Sequence, residues 1–163
     1  MRFSSEQVCF QEVPGEISLG YVITGCPVGC KGCHSADTWS AEKGQPLTVS
    51  HFEQRLTDYQ GLISCVLFLG GEWHPERLIE LLKRARQRHL TTCLYSGYHD
   101  IHPSIKTQLT YLKLGPWRPE LGGLNSLTTN QRFYDLRTGA CLNHKFQQST
   151  ITTKEHSHAT TER

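Results

Sequence analysis

The stretch LGYVITGCPVGCKGC, Leu19 to Cys33, decides how the rest of the chain is read. Its first six residues, Leu19 to Thr24, have the apolar, β-branched and aromatic composition of a strand. They run straight into Gly25 and a C-x3-C-x2-C arrangement made by Cys26, Cys30 and Cys33, so the cysteines stand on a loop after a strand. Gly25, Gly29 and Gly32 let that loop turn tightly enough for three thiolates to surround one metal centre. Two centres meet the description. A structural zinc needs four protein ligands, and His34 can supply the fourth. A [4Fe-4S] cluster held by three cysteines leaves one iron open to an outside ligand, which makes a three-cysteine motif meaningful as it stands, and we rank it ahead of zinc.

Outward from this loop, apolar runs of strand length alternate with helical patterns. Ser50 with Glu53 three positions on is a capping-box pair, and Phe52, Leu56 and Tyr59 keep helical spacing, which predicts a helix near 50–60. Ile63 to Leu69 is a continuous apolar run, as in a parallel strand covered on both faces, and it ends in Gly70-Gly71. Pro75 is suited to a first helical position, and Leu78, Ile79, Leu81, Leu82 and Ala85 form a stripe running toward Arg88. Thr91 to Ser96 reads as a strand, Pro103 to Leu109 as a short helix, and Tyr111 to Leu114 as a fourth strand. This order predicts an α/β fold with right-handed crossovers and a mainly parallel sheet, with its site at the carboxyl ends of the strands. Residues 117–130 have no period and read as a loop over that edge. Arg132 to Arg137 and Ala140 to Phe146 form a candidate closing hairpin, and 147–163 a disordered tail, leaving 1–146 as the domain.

Composition narrows the function classes. The chain has 163 residues, one domain's worth, and can bury roughly 70% of its unfolded surface without covalent staples. Seven cysteines, three of them within eight residues, make a poor disulfide framework. Cys9, Cys65, Cys93 and Cys141 read instead as buried small hydrophobes. Met1 to Phe10 shows no basic start followed by an apolar run, and no stretch approaches the roughly 20 apolar residues that span a bilayer, so we read a soluble cytoplasmic protein without a membrane partner. A formal net charge of +2, with basic residues gathered only around Lys83 to Arg88, argues against nucleic acid. That basic run reads as a solvated helix face or a dock for an acidic electron donor. Lys113 reads as a solvated edge-strand lysine unless the strand's carboxyl end turns it toward the site.

Several segments together carry a family resemblance: TGCPVGCKGCHS, Thr38-Trp39, Gly44-Gln45-Pro46, LGGEWHP, Tyr95-Ser96-Gly97-Tyr98, LKLGPW and LGGLNSLTTNQRFYD. From about Val13 to Phe146 the chain resembles the radical S-adenosylmethionine (SAM) enzymes. Within them it is similar to the glycyl-radical-enzyme activating family, as represented by activators of anaerobic ribonucleoside-triphosphate reductase. The resemblance implies a partial, open (β/α) barrel and a [4Fe-4S] cluster on Cys26, Cys30 and Cys33, with SAM chelating the open iron. It places Gly32 and His34 beside SAM, sets Gly70, Gly71 and Glu72 at its methionyl amino group, and brings Ser96 with Gly97 to its ribose or carboxylate. The implied activity is reductive cleavage of SAM to a 5'-deoxyadenosyl radical that takes hydrogen from a glycine of the reductase, fed by a flavodoxin- or ferredoxin-type donor. Such chemistry needs no general acid or base, in keeping with the lack of a Ser/His/Asp or paired-carboxylate constellation. Another protein or peptide as substrate, and a zinc-binding interaction module, are the alternatives.

Overall fold

The computed structural model describes residues 1–147. One eight-stranded sheet organises them, in the order β3-β1-β2-β4-β5-β6-β7-β8. The strands are β1 (Arg2–Cys9), β2 (Ser18–Ile23), β3 (Gln45–Pro46), β4 (Cys65–Leu69), β5 (Thr91–Tyr95), β6 (Tyr111–Leu114), β7 (Arg132–Asp135) and β8 (Ala140–Cys141). Three helices lie between them: α1 (Val49–Asp58), α2 (Pro75–Gln87) and α3 (Pro103–Lys106). The four central strands β2, β4, β5 and β6 pair in parallel. Both flanks are antiparallel, β1 and β3 on one side and β7 and β8 on the other. The expectation of a mainly parallel sheet therefore holds at the centre only. The hydrogen-bonded order is linear, with β3 and β8 at opposite ends, and the sheet is not closed into a barrel.

Alternation along the strands separates two cores. Leu19, Tyr21 and Ile23 of β2, Val66 and Phe68 of β4, Leu94 of β5 and Leu112 of β6 face the helices. There they meet Phe52 and Leu56 of α1, Leu78, Leu81, Leu82 and Ala85 of α2, and Ile105 of α3. Tyr21, Phe52 and Phe68 pack ring against ring, with centroids 5.8–6.1 Å apart. The opposite face carries Cys65, Leu67, Cys93 and Tyr111, roofed by Cys9, Val13, Leu124 and Phe133 from strands and loops without a helix.

Some local details depart from the sequence reading. The α1 cap is Thr48, whose hydroxyl accepts from His51 N at 3.1 Å, and not the Ser50–Glu53 pair. Glu53 instead receives Arg84 at 3.2 Å and Arg88 at 2.5 Å. Arg84 and Arg88 of the basic run are thus engaged on Glu53, while Lys83 and Arg86 make no ion pair among the described residues. Cys141 is exposed on the short edge strand β8, while Cys9, Cys65 and Cys93 are buried as expected. All seven thiols are free. Of the tail expected from Gln147, only that residue is described, and its side-chain amide donates to Ser126 O at 3.0 Å. The remainder lies outside the described residues. Among the described residues no helix is long and apolar enough to cross a membrane.

Candidate functional site

The carboxyl ends of the four parallel strands open into a cavity of about 210 Å³. Ile23, Gly70, Ser96 and Lys113 reach it from β2, β4, β5 and β6 or the residue that follows. The cysteine loop leaves β2 directly above it, and Cys26, Cys30 and Cys33 all face this one space. Gly25, Gly29 and Gly32 have φ of +87°, +64° and +69°, left-handed values that a side chain at these positions would disfavour. The loop is tied down at its root, where Gly25 N donates to Thr38 O at 2.8 Å and the Thr38 hydroxyl donates to Ser35 O at 2.7 Å. Cys33 N donates to Cys30 O at 3.2 Å, and Ser35 N to Cys33 Sγ at 3.4 Å. Burial raises the Cys26 thiol pKa, and the neighbouring Glu72, Cys30 and Cys33 add to the rise.

The turn after β4 explains its glycines. Gly70 has φ +85°, and a Cβ there would stand 2.4 Å from the Trp73 ring. Trp73 folds back over Gly70 and donates its indole N–H to Thr24 O at 3.2 Å, pinning the turn to the root of the cysteine loop. Glu72 points inward. Its Oε1 accepts from the buried Ser96 hydroxyl at 2.5 Å, whereas its Oε2 is buried with no partner. Burial raises the Glu72 pKa, the Ser96 bond and the Lys113 charge working against that rise. Ser96 Oγ in turn accepts from Tyr98 N at 3.0 Å.

Lys113 contradicts its solvated-edge reading. β6 is an interior strand paired on both sides, and Lys113 is 8% exposed in the floor of the cavity. Its ammonium donates to Gly115 O at 2.9 Å and lies 5.9 Å from the Tyr95 ring centre. Burial pushes its pKa down to about 8, against the pull of Cys30, Glu72 and Cys33, so it is largely cationic at neutral pH. The cavity therefore sets a buried carboxylate oxygen and a buried ammonium beside three thiols, each charge lacking an ion-pair partner on the protein.

The structure brings together Cys26, Cys30, Cys33, Gly70, Glu72 and Ser96. Gly71, Gly32 and His34 stand outside the lining. Gly71 backs onto Ile23 and Met1, and exposed His34 sets its ring edgewise to Trp117, 5.0 Å between centroids at 64°. Among the described residues no three His, Cys, Asp or Glu side chains converge on a single ion. Thiolates that each bind a different iron of a cube need a shared cavity and not a common point, so the donor set fits a [4Fe-4S] cluster. Sequence reasoning missed Trp117 and Gln131, which line the cavity from either end of the 117–130 segment. Several polar groups of that segment are spent internally, Thr128 donating to Leu121 O, Thr129 to Gly122 O and the Asn130 amide nitrogen to Pro116 O, whereas Asn130 Oδ1 is buried without a partner. The only forewarning was the position of the segment, directly after the strand that carries Lys113.

Residues 14–114 match the family model of the 4Fe-4S single cluster domain, more than half of the chain. Similarity also extends to a pyruvate formate-lyase-activating enzyme of Clostridium pasteurianum, 30% identical over an 89-residue alignment, with 47% of this chain and 37% of the relative covered. The chain thus spans well under half the length of that relative. It belongs to the family of 4Fe-4S single cluster domains.

Proposed function

We propose that this member of the 4Fe-4S single cluster family is a radical SAM activase that installs a glycyl radical on anaerobic ribonucleoside-triphosphate reductase. The observation that carries the reading is the pair of opposite, unpaired charges beside the three thiols. Glu72 Oε2 is a buried acceptor without a donor, and the buried Lys113 ammonium feels the Glu72 charge but makes no direct ion pair with it among the described residues. Together they complement the ammonium and carboxylate of an α-amino acid, the methionyl end of SAM.

Cys26, Cys30 and Cys33 would hold the [4Fe-4S] cluster. When bound, cluster and SAM supply reductive cleavage of the sulfonium bond to methionine and a 5'-deoxyadenosyl radical, which takes a hydrogen atom from the partner's glycine. Ser96 holds Glu72 in the rotamer that leaves Oε2 free, and Gly70 gives the ligand close access to backbone at the end of β4. Val28, packed on Gly97, and Trp73, packed on Gly70, wall the cavity with apolar surface that excludes water from a reactive radical. A flavodoxin- or ferredoxin-type donor supplies the electron.

A pyruvate formate-lyase-type target is the second reading, favoured by the activating enzyme of that name. Reduced, cluster-loaded protein should cleave SAM and, mixed with the anaerobic reductase, produce a glycyl radical signal in electron paramagnetic resonance. Cleavage with a signal only on a formate-lyase-type partner selects the second reading. Stoichiometric zinc without iron or sulfide in anaerobically purified protein sinks both.

A further inference from the structure

All three tryptophans of the chain, Trp39, Trp73 and Trp117, line the cavity, and their indole nitrogens are treated differently. Trp73 Nε1 is satisfied by Thr24 O. Trp117 Nε1 is buried with no acceptor. An indole N–H can only donate, so an acceptor that the chain does not supply must belong to what fills the site.

The surroundings of Trp117 indicate which acceptor that is. A Cβ built on Gly32 would lie 3.9 Å from Trp117 Nε1 and 3.7 Å from Pro119 Cγ, so the indole nitrogen sits over the short turn between Cys30 and Cys33. On the other side the ring is covered by Gly123 of its own loop, with the His34 ring edgewise to it at 5.0 Å. Of the carbonyls on the loops around the ring, Cys30 O receives Cys33 N, Pro116 O receives Asn130, Thr129 O receives Arg132, and Gln131 O receives both Arg132 and Asn143. The internal bonds of the 117–130 segment hold the ring in this position. The thiols of Cys30 and Cys33, which bound that turn, line the same cavity as the Trp117 ring.

We propose that Trp117 Nε1–H donates a hydrogen bond to a sulfur of the cluster held by Cys26, Cys30 and Cys33 and thereby makes that cluster easier to reduce. A donor on a cluster sulfur stabilises the extra negative charge of the reduced form and moves the reduction potential upward. The inference rests on the cluster reading above. It also accounts for the 117–130 segment, which brings a second donor to a loop whose own Ser35 N already reaches Cys33 Sγ.

The test uses full-length protein loaded with its cluster under anaerobic conditions, without SAM. Trp117→Phe keeps the aromatic bulk and removes only the donor. Iron and sulfide content should stay at the wild-type level while the midpoint potential moves to a more negative value. In wild-type protein labelled with 15N in the indole ring, electron–nuclear double resonance of the reduced cluster should show a 15N coupling that Trp117→Phe abolishes. An unchanged potential at full cluster content overturns the proposal, as does a shift that appears only after SAM is added, since the acceptor is then SAM. If Trp117→Phe fails to hold a cluster, labelled Trp39→Phe decides, since Trp73 Nε1 is already bonded to Thr24 O: coupling retained supports the bond and its absence refutes it. Wild-type protein that binds neither iron nor sulfide overturns the cluster reading and this proposal together, whereas failure of the potential shift on a fully loaded cluster leaves that reading intact.

Discussion

Two carboxylates stand at opposite ends of the same parallel strands, and they are treated in opposite ways. At the amino ends, Glu16 accepts from the Ser64 hydroxyl at 2.5 Å and from Tyr111 OH at 3.1 Å. Tyr111 OH itself accepts from Arg137 at 3.0 Å, and Arg137 pairs with Asp135 at 2.7 Å. At the carboxyl ends, Glu72 has Ser96 alone, and one of its oxygens is buried bare. An unpaired buried polar atom costs about 1–3 kcal/mol. The amino-end carboxylate, with both oxygens bonded, is structural, although the Ser18 hydroxyl at the start of β2 is also buried without a partner. The end that keeps Glu72 Oε2 and Trp117 Nε1 unsatisfied is arranged for a ligand.

This contrast can be broken most directly at the cysteine loop. Cys30→Ala should reduce iron and sulfide after reconstitution to background and abolish SAM cleavage, while the melting temperature of the apoprotein stays unchanged. Retention of a full cluster would remove Cys30 from the ligand set.

Glu72→Gln comes next. Losing a hydrogen bond to a charged group, about 1.5–3 kcal/mol, should weaken SAM binding to cluster-loaded protein roughly 10- to 100-fold by calorimetry. Apoprotein stability should respond with the opposite sign. Burial raises the folded pKa of Glu72 above 4.5, so the wild type loses stability as pH rises past that value and the carboxyl must ionise in the folded state. The amide has no such loss, so the variant should melt at or above the wild-type temperature at pH 7, the gap closing below pH 4.5. A variant less stable than wild type at pH 7 contradicts the assignment of Glu72 as a strained ligand group.

Glu16→Ala should show the mirror image. Ser64 and Tyr111 lose their shared acceptor, with an expected cost of about 1–3 kcal/mol in urea unfolding and no change in SAM affinity. A marked loss of SAM binding would erase the distinction between the two ends. The smallest effect is expected at Thr48→Ala, about 1 kcal/mol of stability from the lost α1 cap, with both carboxylates undisturbed. A loss well above that, or any change in SAM affinity, would mean that α1 supports the site.

Legibility in the sequence followed local physics. β4 was readable because a strand buried on both faces is an unbroken apolar run, and α2 because its stripe and Pro75 are local signals. β1 was not, since Arg2–Cys9 is mostly polar and buries only Phe3 and Cys9; it is a strand because β2 offers it an edge. The Ser50–Glu53 pair had the right spacing for a cap, but Glu53 found stronger partners in two arginines, Arg84 of α2 and Arg88 just past its end. Cys26, Cys30 and Cys33 were legible as a set from their spacing. Lys113 was misplaced because whether β6 is an edge depends on β7, a strand that begins eighteen residues after it ends.

Sequence alone determined the order of the central strands and helices, the loop on which three thiols gather and the residue types available for chemistry, because strand runs, helix stripes and glycine turns act over a few residues. Tertiary structure decided which of those residues meet. Only the pairing of β4 with β5 puts Ser96 on Glu72, only the flanking of β6 by β7 buries Lys113, and only the return of the 117–130 segment sets an indole over the cysteine turn. A buried charge or donor left without a partner is a property of that long-range packing, since no local window of sequence states what a side chain will lack.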